Sequence, residues 1–154
     1  MPLADVADVV WRVDRSPKKL NKFARPTDES NHFADMDQPG PGNKTLLDLT
    51  ADDANIDPAV WVNFYKAVGT HVDKMGALPF RVWQIFDLIV DHLKHGDVAR
   101  FVCGAGLMAH YVGDACQPLH ISMYHDGYPD GPGEGVHSAY EDDMVNRHVG
   151  DIFA

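Results

Sequence analysis

Two histidine–carboxylate pairs stand four residues apart in this sequence, His110 with Asp114 and His137 with Glu141. On a helix that spacing sets both side chains on one face, one turn apart, so each pair can offer an imidazole nitrogen and a carboxylate oxygen to a common point. Those are donors that zinc takes at roughly 2.0–2.2 Å. Two further histidines lie where they could complete such sets. His120 stands just past the helix break at Gln117-Pro118, and His32 lies within Asn31-His32-Phe33-Ala34-Asp35. The pair His137 and Glu141 also reads as a solvated i,i+4 contact, and a lone histidine on an apolar face as a satisfied core residue. Asp114 resists that reading, because its helix is apolar nearly all round and an isolated buried carboxylate is costly to desolvate.

The elements that must hold these residues are helical. Strand-like alternation never persists, while helical spacing recurs, so the sequence predicts one all-α domain over residues 1–154. Leu3, Val6, Val10 and Val13 form the apolar stripe of a short first helix. Residues 14–56 lose all periodicity and carry Pro17, Pro26, Pro39, Gly40, Pro41 and Gly42. Aperiodic segments of that length are usually functional or disordered. Asp57-Pro58 opens a helix that should end near Gly76, by a cap followed by proline at the first position. Pro79 opens the next, through Val82, Ile85, Phe86, Ile89 and Leu93 to His95-Gly96.

Asp97 caps a helix to about Cys116, and its stripe of Val98, Phe101, Val102, Ala105, Met108, Ala109 and Val112 predicts burial. A loop over 125–135 leads to a last helix near Val136. The chain finishes at Ile152-Phe153-Ala154 inside a helical pattern with no cap, which reads as a fragment lacking N- and C-terminal parts of a longer protein.

Composition narrows the chemistry further. Thirteen Lys and Arg against 23 Asp and Glu leave a formal charge of −10, which excludes a broad basic face for nucleic acid. It does not exclude a phosphate substrate, since carboxylates holding divalent cations make a locally positive site. No apolar run reaches the ~20 residues of a membrane span, and no leader-like segment opens the sequence. Cys103 and Cys116 are the only cysteines, which rules out a disulfide-dense scaffold or a four-cysteine zinc site. On one helix they would stand roughly 20 Å apart, beyond disulfide reach, and they read as buried small hydrophobes. There is no Ser-His-Asp or Cys-His signature and no G-x-x-x-x-G-K phosphate loop.

Four elements then form a recognisable order. Asn31-His32-Phe33-Ala34-Asp35, Ala109-His110-Tyr111-Val112-Gly113-Asp114, Gln117-Pro118-Leu119-His120 and His137-Ser138-Ala139-Tyr140-Glu141 together resemble the zinc-dependent phospholipase C / S1–P1 nuclease superfamily, over about residues 5 to 148. The resemblance implies a multi-helix phospholipase C / P1 nuclease-like domain that hydrolyses phosphodiesters with metal-activated water. It implies that His32, His110 and Asp114 hold one Zn2+, that His120, His137 and Glu141 hold a second, and that Asp114 is catalytic as a bridging ligand. The family's Ala-Asp element would supply a further ligand that also positions the attacking water. Asp5 and Asp8 both follow an alanine, and Ala7-Asp8 with Trp11 fits better, although Asp8 also suits a solvated position opposite the apolar stripe.

The family binds a third metal through an N-terminal tryptophan and a nearby histidine, and neither stands upstream of Asp8. Two zinc sites are therefore expected here, with a third if a longer N-terminus is present. The implied substrate is single-stranded nucleic acid or a phospholipid headgroup. Glu141 leans towards the phospholipase branch and His125-Asp126-Gly127 towards the nuclease branch. An extracytoplasmic or secreted location follows from the resemblance alone, and no protein partner is inferable.

Alternatives stand beside it. Zinc ions could close the helices structurally without catalysis, in fully occupied tetrahedral sites. A di-iron bundle would show Glu-x-x-His, which the His-x-x-x-Asp and His-x-x-x-Glu spacing here does not match. Of the other histidines, His92 and His95 suit a helix C-terminus, His71 has no carboxylate at ligand spacing, and His148 matches no family ligand. His125-Asp126 could support the site from behind the ligands. Trp11, Phe33, Tyr111, Tyr124 and Tyr128 could stack a base or cage a choline, or simply pack.

Overall fold

The computed structural model describes residues 29–52, 57–71 and 74–152, and every regular element among them is helical, as the periodicity predicts. The expected first helix, with Asp5, Asp8 and Trp11, lies outside the described residues.

The segment expected to be irregular contains short helical pieces between 29 and 52. A 3-10 turn covers Glu29–His32, another covers Pro41–Asn43, and a one-turn helix α1 covers Leu46–Leu49. Periodicity could not show α1, because one turn is too short for a stripe. Its cap is local chemistry instead. The Thr45 hydroxyl accepts from the Asp48 amide while the Asp48 carboxylate accepts from the Thr45 amide.

Helix α2, Pro58–Ala67, starts at the predicted Asp57 cap but ends well before Gly76. Gly69 sits at φ 80°, and Thr70 N donates to Tyr65 O at 2.9 Å while Gly69 N donates to Lys66 O at 3.1 Å. This paired closure stops a helix at a left-handed glycine. Leu78–Lys94 (α3) ends by the same device at Gly96, φ 70°, with Asp97 N donating to His92 O at 2.9 Å. Val98–Cys116 (α4) follows after this tight turn and packs along α3. The core gathers Ala34, Leu46, Trp61, Phe64, Tyr65, Leu78, Ile85, Ile89 and Tyr111.

The burial expected for α4 is corrected on one side. Val98, Val102 and Val112 are exposed, while Gly104, Gly106, Tyr111 and Asp114 are buried. Gly104 lets α4 approach Ile89 of α3 closely, and Phe101 and Met108 of the expected stripe, with Leu107, pack against the core while its valines face outward. Both cysteines are exposed, against the expectation that they pack inside.

After α4 the chain turns through a 3-10 helix at Pro118–His120. The backbone of 34–36 is stitched to this turn, with Ala34 N donating to His120 O and Met36 N to Ile121 O, each at 2.9 Å. Ser30 O and Phe33 O accept from Ala77 N and Leu78 N, which ties the same segment to the start of α3. The loop over 125–135 closes on itself where the Gly127 and Gly133 backbones meet, both at positive φ. It leads into α5 (Val136–Ser138), a π-helical stretch (Ala139–Met144) and α6 (Val145–Ile152).

Candidate metal centres

Folding brings six of the expected ligands into two groups of three. In each group one donor atom per residue lies within 4.8 Å of the others, which is a geometry able to hold a metal ion.

The first group joins the 3-10 turn at Glu29–His32 to α4. His32 Nδ1 lies 2.9 Å from Asp114 Oδ2 and 3.3 Å from His110 Nε2, which lies 3.5 Å from the same Asp114 oxygen. The four-residue spacing sets His110 and Asp114 on one face of α4. Tyr111 presses its buried ring against His32, centroids 4.8 Å apart, and so limits where the imidazole can sit. Asp114 is buried, as its helix position implies, and both histidines face its carboxylate.

The second group joins the Pro118–His120 turn to α5 and the π-helical stretch. His120 Nε2 lies 2.9 Å from Glu141 Oε1 and 3.2 Å from His137 Nε2, and His137 Nε2 lies 3.1 Å from Glu141 Oε2. His120 Nδ1 donates to the carbonyl oxygen of His32 at 2.6 Å. A carbonyl only accepts, so Nδ1 carries a proton, and Nε2 is the nitrogen left to face Glu141 and His137. Burial alone would push the Glu141 carboxyl up. Hydrogen bonds from Gln117 and His120, with the charges of His120 and His137, outweigh it and hold the group below the usual carboxylate range.

In a tetrahedral zinc site, donors about 2.0–2.1 Å from the ion stand roughly 3.3 Å from each other. The separations in both groups cluster around that figure. Three electron-pair donors converging on one point must otherwise be reconciled by protons placed pair by pair. One divalent cation satisfies all three at once. The ligand chemistry, imidazole with one carboxylate and no thiolate, suits a divalent transition metal rather than calcium or magnesium.

Both groups border one cleft of about 530 Å³, lined on this side by His32, His120, His125 and His137 and by the apolar Phe33 and Met123. Asp35 also reaches it, with burial holding its carboxyl above the usual range despite the Tyr65 hydroxyl and nearby His125. Burial likewise raises the Tyr65 hydroxyl, beside the Asp35 charge. Neither the Asp35–Tyr65 contact nor the role of Gln117 was visible in the sequence, because each joins residues distant along the chain. The expected ligand Asp8 lies outside the described residues. His148 pairs with Asp151 at 3.2 Å, and His95 with Asp91 of its own helix, so both have local structural partners.

No family model and no solved structure matches the chain. A probable serine protease of Bradyrhizobium tropiciagri is 32% identical over 195 aligned residues, covering 99% of this chain and 25% of that protein. The chain thus spans about a quarter of the length of this curated relative. This finding overturns the expectation of a zinc-dependent phosphodiester hydrolase, because the similar protein is named for cleaving peptide bonds, not phosphate esters. The physical reason is that a histidine–carboxylate set can hold a metal ion and says nothing by itself about a substrate. Single-stranded nucleic acid and phospholipid headgroups lose their support as substrates with it. No helix among the described residues is long and apolar enough to cross a membrane.

Proposed function

We propose that this chain is a two-site zinc-binding module of a longer peptide-hydrolysing protein. The convergence of His120 Nε2, His137 Nε2 and Glu141 on one point, with the His120 tautomer fixed by the His32 carbonyl, is the observation that carries this reading. The first group, built from His32, His110 and Asp114, repeats the pattern. The resemblance of the four motifs to a zinc-dependent superfamily supports the ligand assignment without bringing that family's substrate along.

Three protein donors in each group would leave a tetrahedral ion one position for water or substrate, the arrangement of zinc sites that act on a bound molecule rather than only closing a fold, and His32, His120 and His137 border the cleft. When bound there, zinc supplies a Lewis acid and brings the pKa of a coordinated water towards ~7. The chain's own part is to hold the donors in place, to orient His120 through its Nδ1–H and to wall the cleft with Phe33 and Met123. The Ser122 and Ser138 hydroxyls donate to the carboxylates of Asp37 and Asp142, so neither is set against a histidine base. Peptide hydrolysis is inferred from the similar Bradyrhizobium tropiciagri protein, a probable serine protease.

The test is a calorimetric zinc titration of the chelator-stripped chain at neutral pH. Two saturable sites are expected, and millimolar Mg2+ or Ca2+ should not displace zinc, because those ions prefer oxygen-only shells. Absence of saturable zinc binding would overturn the reading.

A further inference from the structure

Gln117 lies outside both triads, yet both ends of its side-chain amide are committed. Oε1 accepts from the Leu119 amide at 2.6 Å, which fixes the turn that carries His120. Nε2 donates to Glu141 Oε1 at 2.8 Å. That same carboxylate oxygen lies 2.9 Å from His120 Nε2. Glu141 sits in the π-helical stretch on an exposed element, and among the contacts that orient its carboxylate, Gln117 is the one from α4's C-terminal cap.

An amide whose oxygen is already occupied cannot flip without losing that bond. Its nitrogen therefore points in one direction only, at the ligand oxygen. Partners that grip a metal ligand in this way fix its orientation, and losing one typically costs 10–100-fold in metal affinity.

We propose that Gln117 is a positioning residue for the second metal site, locking the Glu141 carboxylate into its ligating orientation and coupling it to the turn that presents His120. It rests on the reading of the triads as metal sites. Gln117 does not itself ligate the ion.

The experiment measures zinc affinity site by site in the full chain, by competition with a chromogenic chelator. Asp114→Asn removes a ligand of the first group, so D114N reports the second site, and E141Q reports the first. Adding Gln117→Met to D114N is expected to weaken zinc at the second site 10–100-fold. It should also diminish the visible absorption bands of cobalt(II) bound there, since the carboxylate no longer closes the coordination shell. Adding Q117M to E141Q should leave the first-site affinity unchanged.

Should Q117M fail to fold, Gln117→Glu keeps the acceptor for Leu119 N but replaces the donor to Glu141 with a carboxylate oxygen that repels it, and the same selective loss is expected. Equal zinc affinity in D114N with and without the Gln117 substitution would overturn the proposal while leaving the metal reading intact. An equal drop at both sites would overturn it too, since that is a general folding effect. A wild-type chain that binds no zinc would remove the metal reading and this proposal together.

Discussion

At the scale of single residues, Asp35 and Glu141 are two carboxyls whose surroundings push them in opposite directions. Asp35 is raised by burial, so the folded chain holds its proton more tightly than the unfolded chain does. Its contribution to stability is therefore greatest below the usual aspartate range near ~3.9 and falls as pH rises through the interval up to the raised value. Asp35→Asn keeps an oxygen for the Tyr65 hydroxyl, which lies 3.3 Å from Asp35 Oδ2, and removes the ionisation. In metal-free protein the variant should match wild type in acid and become the more stable of the two towards neutral pH, measured by urea unfolding across pH. A gap that does not widen as pH rises contradicts the burial of Asp35.

Glu141 is lowered, so its contribution is present above the usual glutamate range and is lost as pH falls through the lowered value. Both His-x-x-x-carboxylate pairs were legible from spacing alone, because a helix turns spacing into a shared face. Gln117 stood in plain view in Gln117-Pro118-Leu119-His120, yet its grip on Glu141 depends on how residues 24 positions apart meet.

Among the elements, α3 and α4 form the frame that holds Asp114 and His110 in place. Gly104 makes their close approach possible, since a Cβ there would overlap Ile89 Cγ2. Gly104→Ala should gain about 1 kcal/mol of helix propensity and lose ~1–3 kcal/mol to overpacking, leaving a net loss of up to about 2 kcal/mol. Thermal unfolding followed by circular dichroism would show a midpoint several degrees lower, and an unchanged or higher midpoint would mean that the helices can separate there without loss.

Starts and stops of α3 and α4 were readable from Pro79, Gly96, Asp97 and Gln117-Pro118 because caps and breakers act locally. The early end of α2 was readable in principle at Gly69, but the apolar spacing beyond it masked the signal. The burial of α4 was overestimated at Val98, Val102 and Val112 for a different reason. A helix that meets its neighbour at Gly104 packs by closeness of approach, which counts of large apolar residues do not register. The π-helical stretch around Glu141 has no sequence signature of its own.

Considered as one molecule, the chain stitches its metal-donor segments to each other before any ion is considered. The 30–36 segment is bonded to the start of α3 and to the Pro118–His120 turn, so His32 of the first group supplies the carbonyl that orients His120 of the second. All-α architecture was legible in the sequence, while the chemistry was not, because helical spacing reveals donors and not what they act on.

The most direct test of the central claim is the metal content of the purified chain, read by inductively coupled plasma mass spectrometry for wild type, Asp114→Asn and Glu141→Gln. Each triad held by its own residues predicts two zinc ions per wild-type chain and one in each variant, all removable by a chelator. A folded wild-type chain without zinc, or variants that keep both ions, would contradict the account.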